Sequence, residues 1–283
     1  MYRGRFAPTP SGRLHLGSLL SAAGAYLRAL QAGGSCLLRL EDLDRPRCKV
    51  EYAGSIIADL KTLGFAFAPE ILIQSSDLSP YAATVEALIK TGKAYVCACS
   101  RRQIRERPCT CRQLNLPYKR GRAIRLDCHD APRDFYDERL GSIHVPLIPD
   151  SLILKRSDGV YSYNLACVTD DLRQGVTEVV RGSDLIASTP LQIYLYQLLG
   201  KKPPQFLHLP LITSKGGGKL SKQNHAAPVL DSYRPTEAIL LTLKLLGQDT
   251  QGLTHLSPAE IWPVVAQRFD LDAIAHNDIE LDD

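Results

Sequence analysis

The chain has 283 residues, 45% hydrophobic and 23% charged, with 34 basic against 30 acidic side chains and a formal net charge of +4. These ordinary globular proportions exclude a low-complexity chain and allow one large domain or two smaller ones; the charge permits nucleic-acid binding without arguing for it. No apolar run reaches the ~18 residues of a membrane helix and no secretory segment follows Met1, so a cytoplasmic enzyme with no membrane association is expected.

Arg3–Ala7 reads as a first strand. After the turn formers Pro8-Thr9-Pro10-Ser11-Gly12, the apolar positions Leu16, Leu19, Leu20, Ala23, Tyr26, Leu27 and Leu30 recur at helical spacing from Leu16 to Ala32, and Gly33-Gly34 closes the helix. Ser35–Leu40 is a short buried strand ending abruptly in Glu41-Asp42-Leu43-Asp44. Together they form a βαβ unit, whose ligands belong at the carboxyl ends of its strands. Helices are predicted over Glu51–Leu63 and Ser79–Thr91. From about Tyr95 to Val160 the chain turns to Cys, Arg, Pro and short β-prone runs, as an insertion would. A strand is predicted at Thr177–Arg181 and a helix at Pro190–Leu199. Two further helices, Pro235–Leu246 and Pro258–Phe269, precede an acidic tail. The organisation is α/β, without an internal repeat.

Four of the eight cysteines are clustered: Cys97, Cys99, Cys109 and Cys111, two C-x-C pairs nine residues apart. Thiols bracketing a short arginine-rich loop suggest one tetrahedral zinc site, structural because four thiolates leave no open position for water. The scattered Cys36, Cys48, Cys128 and Cys167 read as small buried hydrophobes.

Two short motifs carry the chemistry. His15-Leu16-Gly17-Ser18 opens the first helix, where backbone N–H groups and the positive end of the helix dipole can face a nucleotide phosphate. Lys219-Leu220-Ser221-Lys222-Gln223 follows Gly216-Gly217-Gly218 and offers two lysines to a phosphate whose charge changes during reaction. In this order they resemble the two ATP-handling motifs of class I aminoacyl-tRNA synthetases. Arg5–Gly17, Leu38–Arg45, Tyr163–Ala166, Val168–Asp171, Gly175–Gly182 and Ser188–Pro190 extend the resemblance to glutamyl-tRNA synthetases over roughly residues 3 to 235. Only 60 residues follow Gln223, so no anticodon-binding domain is expected. That shortness, the clustered cysteines and Lys-Leu-Ser-Lys-Gln-Asn-His-Ala are similar to the paralogous glutamyl-queuosine tRNA(Asp) synthetases.

The resemblance implies a Rossmann-like, doubly wound parallel sheet over 1–235, an inserted zinc-binding subdomain at about 95–160, and a short helical region over 236–283. It implies L-glutamate, ATP with magnesium, and queuosine-containing tRNA(Asp) as partners of a monomer. Glutamate would be activated without tRNA and attached to the queuosine base of the anticodon. The stretch Arg5, Phe6, Ala7, Pro8 and Thr9, with Glu41, Tyr163 and Arg181, matches the glutamate pocket. Arg5 and Arg181 suit carboxylates because a guanidinium pairs them bidentately, and Glu41 suits the α-ammonium. Thr9 stands where the motif commonly has serine and keeps the hydroxyl. His15, Gly17, Lys219 and Lys222 match the ATP site, with His15 on the triphosphate and Lys222 on the leaving pyrophosphate. His208, His225 and the remaining histidines are read as structural or solvent-facing.

In the family the comparable zinc ligands are a C-x-C pair, a tyrosine and a final cysteine followed by arginine. Cys97, Cys99 and Cys111-Arg112 match, but Arg107 stands in the tyrosine's place and cannot ligate zinc. Cys109 is the expected fourth ligand and Tyr118 the alternative. Other functional readings stay open from the sequence: an enzyme charging a tRNA 3′ end, a nucleotidyltransferase that never touches tRNA, and a non-catalytic tRNA-binding paralogue. The glutamate pocket weighs against the second of these, and the intact His15, Glu41, Arg181 and Lys222 against the third.

Overall fold

A computed structural model describes residues 1–107, 109–146, 152–214, 218–219 and 227–281. Strand β1 (Arg3–Phe6), helix α1 (Leu16–Gln31) and strand β2 (Ser35–Leu40) form the expected βαβ unit. The strands are parallel, with Arg5 opposite Leu37. Ala7 lies just outside β1 and Ala32 is the C-cap of α1, a boundary difference of one residue at each. Helix α2 (Val50–Thr62) leads to β3 (Ile71–Ile73), parallel to β2, and then to α3 (Ser79–Lys90).

The insertion builds its own layer. Strands β4 (Ala94–Cys97) and β5 (Ala123–Leu126) are antiparallel and separated by the short helix α4 (Arg101–Glu106). A hairpin of β6 (Asp134–Asp137) and β7 (Gly141–His144) follows, and β8 (Ile153–Lys155) pairs with β5.

The chain then enters a helix that periodicity does not reveal, α5 (Tyr163–Gln174). Its apolar stripe is broken by Asp170 and Asp171, both buried. What marks it is its ends. The Ser162 hydroxyl accepts from the Leu165 N–H, and Gly175 adopts φ 63°, a left-handed stop open to glycine without a Cβ clash. Strand β9 (Glu178–Gly182), helix α6 (Thr189–Leu198) and strand β10 (Gln205–Leu209) complete a second parallel unit, with Arg181 opposite His208. The two units meet where the Thr177 N–H donates to the Arg3 carbonyl at 2.8 Å. Strand order is β3-β2-β1 on one side and β9-β10 on the other, so chain direction through the layers reverses between β1 and β9. A crevice opens at such a switch point.

Past β11 (Ile212–Ser214) and β12 (Gly218–Lys219), helices α7 (Val229–Ser232), α8 (Pro235–Leu245) and α9 (Pro258–Ala266) close over α1. Helix α9 ends three residues before the expected Phe269. Trp262 is fully buried, 4.5 Å from the Phe65 ring, and its indole N–H donates to the Leu63 carbonyl at 2.9 Å. The acidic tail is partly ordered as β13 (Ile279–Leu281), parallel to β11. Among the described residues no helix is long and apolar enough to cross a membrane.

Candidate active site and cysteine cluster

Two cavities, of about 560 and 780 Å³, share Thr9, Arg47 and Tyr163 and lie at the carboxyl ends of the strands. The smaller is lined by the Arg5–Thr9 stretch at the end of β1, by Arg181 and Gly182 at the end of β9, and by His15, Gly17 and Ser18 at the start of α1. Glu41, the first residue after β2, faces the larger, with Asp44, Arg156, Tyr161 and Asn164. The expected pocket residues Arg5, Phe6, Ala7, Pro8, Thr9, Tyr163 and Arg181 thus converge on one cavity wall, and Glu41 on the adjoining one.

His15 is the N-cap of α1. Its Nδ1 accepts from the Ser18 N–H at 3.3 Å, so the neutral ring carries its proton on Nε2. Lys219 lies on β12, and Lys222, His225 and their neighbours at 220–226 fall outside the described residues.

The charges at the site are buried and paired. Arg5 Nε meets Asp171 Oδ1 at 3.3 Å and Arg5 Nη1 donates to the Val180 carbonyl at 3.2 Å. Arg39, fully buried near the carboxyl end of β2, joins the same Asp171 oxygen at 2.7 Å and Glu41 Oε1 at 3.1 Å. Two guanidinium groups and two carboxylates therefore form one neutral cluster, the arrangement that makes buried charge tolerable. Burial alone would raise the Asp171 carboxyl, but Arg39 and Arg5 outweigh it and hold it below its ordinary value. Glu41, with burial dominant over the same two arginines, is raised. Burial and Asp171 push the Cys167 thiol up to about 11, so it stays a neutral sulfhydryl beside the cluster.

Arg181 is equally enclosed. It donates from Nε to His208 Nε2 (3.1 Å), from Nη1 to Gln192 Oε1 (2.7 Å) and from Nη2 to Thr189 Oγ1 (2.7 Å). Its guanidinium carbon lies 5.3 Å from the centre of the Phe206 ring. Of the groups that orient the two pocket arginines, Arg39, Asp171 and Thr189 lie within stretches of the resemblance, but no orienting role was expected for them or for Gln192 and His208. A charged residue inside the apolar run Leu37-Leu38-Arg39-Leu40 is a signal in the residues themselves. His208 is fully buried, so of the two expectations for it the solvent-facing one does not hold.

The four clustered cysteines converge. Their sulfurs all lie within 4.8 Å of one another, with Cys97–Cys109 and Cys99–Cys111 each at 3.6 Å. Ligands about 2.3 Å from a tetrahedral zinc stand about 3.8 Å apart, so the donor set fits that ion. Cys97 closes β4 and Cys111 opens a 3-10 turn, Cys111–Leu114, and the Cys99 N–H donates to the Cys97 sulfur at 3.3 Å. Tyr118 is turned elsewhere: it is 41% exposed, with the Lys155 ammonium 4.8 Å from its ring centre. Arg125, buried on β5, the strand that pairs with Cys97, forms part of the larger cavity wall. Of the scattered cysteines, Cys36, Cys128 and Cys167 are buried as expected. Cys48 is only half-buried, since it sits in the open turn after Asp44.

The model of the catalytic domain of class I tRNA synthetases (E and Q) matches residues 1–125 and 118–260. The chain belongs to this class I synthetase family. Among the relatives of this class I synthetase, a glutamyl-Q tRNA(Asp) synthetase of Shewanella oneidensis is 43% identical over 279 residues, 96% of this chain and 92% of the relative. One of Vibrio parahaemolyticus is 46% identical over 254 residues, 88% of this chain and 85% of the relative. A glutamate tRNA ligase from Elizabethkingia meningosepticum, solved in complex with its amino acid, superposes with a TM-score of 0.79 at 25% identity, covering 99% of this chain and 67% of that one. The glutamate-tRNA synthetase of Elizabethkingia anophelis shares the fold, with a TM-score of 0.81 at 24% identity, 99% of this chain and 68% of that one.

Proposed function

We propose that the protein activates L-glutamate with ATP, without tRNA, and transfers it to the queuosine base in the anticodon of tRNA(Asp). The observation that carries this reading is the near-full-length likeness to relatives named glutamyl-Q tRNA(Asp) synthetase. Two arginines on one cavity wall and Glu41 on the adjoining one suit the two carboxylates and the ammonium of glutamate.

In the first step a glutamate α-carboxylate oxygen bonds to the α-phosphorus of ATP. The bond from that phosphorus to the bridging oxygen breaks, and pyrophosphate leaves. In the second an acceptor hydroxyl attacks the glutamyl carbonyl and AMP leaves, so no protein nucleophile is needed. The protein contributes position and fixed charge. Arg181 would meet the side-chain carboxylate, with Arg5 on the second carboxyl group and Glu41 on the ammonium. The Ala7 and Thr9 backbone or hydroxyl and the Tyr163 phenol would complete the pocket, between Phe6 and Pro8. His15 and the backbone at Gly17 would contact the triphosphate, which carries magnesium, and Lys219 and Lys222 would follow the pyrophosphate charge. The larger cavity adjoins the activated carboxyl and suits the acceptor nucleoside.

Cys97, Cys99, Cys109 and Cys111 would hold one structural zinc, which ties together a loop too polar to fold by itself. We assign residues 1–235, interrupted by the 95–160 insertion, to catalysis and 236–283 to a helical support, in a cytoplasmic monomer. ATP–pyrophosphate exchange tests the first step: it should require glutamate and proceed with no tRNA present. An absolute requirement for tRNA would point to an ordinary glutamyl-tRNA synthetase instead.

A further inference from the structure

Arg181 is aimed by a buried pair that lies outside the pocket. Asp137, at the end of β6 in the insertion, places Oδ2 2.7 Å from His208 Nδ1 and also accepts from the His208 N–H at 3.0 Å. The Leu140 and Arg139 N–H groups donate to its other oxygen at 2.9 and 3.1 Å. Both side chains are fully buried. With Asp137 as a carboxylate, His208 Nδ1 must carry a proton to donate. The far nitrogen, Nε2, lies 3.1 Å from Arg181 Nε, which always carries hydrogen. Only a neutral imidazole, protonated on Nδ1, satisfies both contacts at once.

We propose that Asp137 and His208 are positioning residues that fix the Arg181 guanidinium for the substrate's side-chain carboxylate, and that protonation of His208 disengages it. This rests on the reading of Arg181 as the arginine that meets that carboxylate. A proton on Nε2 would set N–H against N–H and one positive charge against another, in a site buried from solvent. The charged groups facing His208 among the described residues are Asp137 from β6, Arg139 from the β6–β7 turn, whose Nε donates to the His208 carbonyl, and Arg181 from β9. Thr189 Oγ1 from α6 lies 3.2 Å from Nε2. Burial first, then Arg181 and Arg139, lower the His208 pKa against the pull of Asp137, in keeping with a ring neutral at pH 7. The insertion, through one carboxylate on its hairpin, thereby reaches the specificity group of a pocket built on the sheet.

The test compares the full-length protein with His208→Asn and His208→Gln in glutamate-dependent ATP–pyrophosphate exchange between about pH 5 and 8. Asparagine can still reach Asp137 but offers Arg181 no acceptor. Glutamine sets a carbonyl oxygen near the Nε2 position and does not titrate. At pH 7, His208→Asn should raise the glutamate KM about tenfold, the scale of a hydrogen bond to a charged group, with much smaller changes in kcat and in the ATP KM. His208→Gln should recover most of that loss. As pH falls, the glutamate KM of the native protein should rise more steeply than that of His208→Gln, a comparison that removes any shared contribution from Glu41. Imidazole nitrogen NMR of the native protein should find the Nδ1-protonated tautomer. An Nε2-protonated ring, an unchanged glutamate KM in His208→Asn, or equal losses for ATP and glutamate in both variants would overturn the proposal. Native protein with no glutamate-dependent exchange would sink the functional reading itself, while the NMR result still decides the tautomer.

Discussion

Asp171 carries more of the site than any residue that lines it. One of its oxygens faces both Arg5 and Arg39, and Arg39 in turn holds Glu41. Replacing it by asparagine leaves two buried guanidinium groups with one carboxylate between them. Asp171→Asn should therefore cost about 3–5 kcal/mol in denaturant unfolding, the range for breaking a buried ion pair. Because the folded carboxyl is held below the ordinary ~3.9, its stabilisation is complete above that pH and is lost as pH falls through the folded value. The variant should accordingly show a flatter acid limb below about pH 4; an acid limb like that of the native protein would place the titrating groups elsewhere. Arg181→Leu should weaken glutamate binding by roughly 2–5 kcal/mol, the range for stripping one partner from a buried charge pair. Glutamine, with no second carboxylate, should be a poor substrate for the native protein. Equal activation of glutamine would contradict the assignment of Arg181.

At the scale of elements, two side chains far apart in sequence stand out where the insertion meets the rest of the chain, beside the Glu138 N–H bond to the Phe206 carbonyl and the packing of Phe135 and Val145 on Val179 and Phe206. Arg125, on the strand paired with the one Cys97 closes, lines the larger cavity, and Asp137 links the β6–β7 hairpin to β10. Cys109→Ser should strip zinc from protein that otherwise holds about one ion per chain, as a single tetrahedral site requires, while Tyr118→Phe should leave the metal in place. Because a bound metal would organise a loop beside the larger cavity, the cysteine variant should lose transfer to tRNA more than glutamate activation. Metal analysis with both half-reactions checks this, and loss of zinc in Tyr118→Phe alone would reassign the fourth ligand. The elements most readable in advance were those whose pattern is local: β1, α1 and β2 follow from an apolar run, a helical stripe and a second apolar run. Helix α5 was hidden because two buried aspartates interrupt its stripe, and they are tolerated there through partners on β1, β2, α3 and the turn after β3, with Arg173 and Cys167 of α5 itself.

Across the whole molecule, the same division separates what was legible from what was not. Arg5, Glu41, Tyr163 and Arg181 were readable because short motifs carry them, and the fold brings them to one crevice although they span 177 positions of the chain. The groups that orient them were not, because Asp137 and His208, or Arg39 and Asp171, meet only through tertiary contacts across separations of 71 and 132 residues. Each half of such a pair looks like an ordinary surface charge until its partner is known. What distinguishes the proposed activity is transfer of glutamate to a modified anticodon base. The most direct measurement incubates the protein with labelled glutamate, ATP and tRNA(Asp) that contains or lacks queuosine, then locates the label after nuclease digestion. Label confined to the queuosine-containing anticodon fragment is the expected result. Label on the 3′-terminal adenosine, or equal labelling of tRNA lacking queuosine, would contradict it.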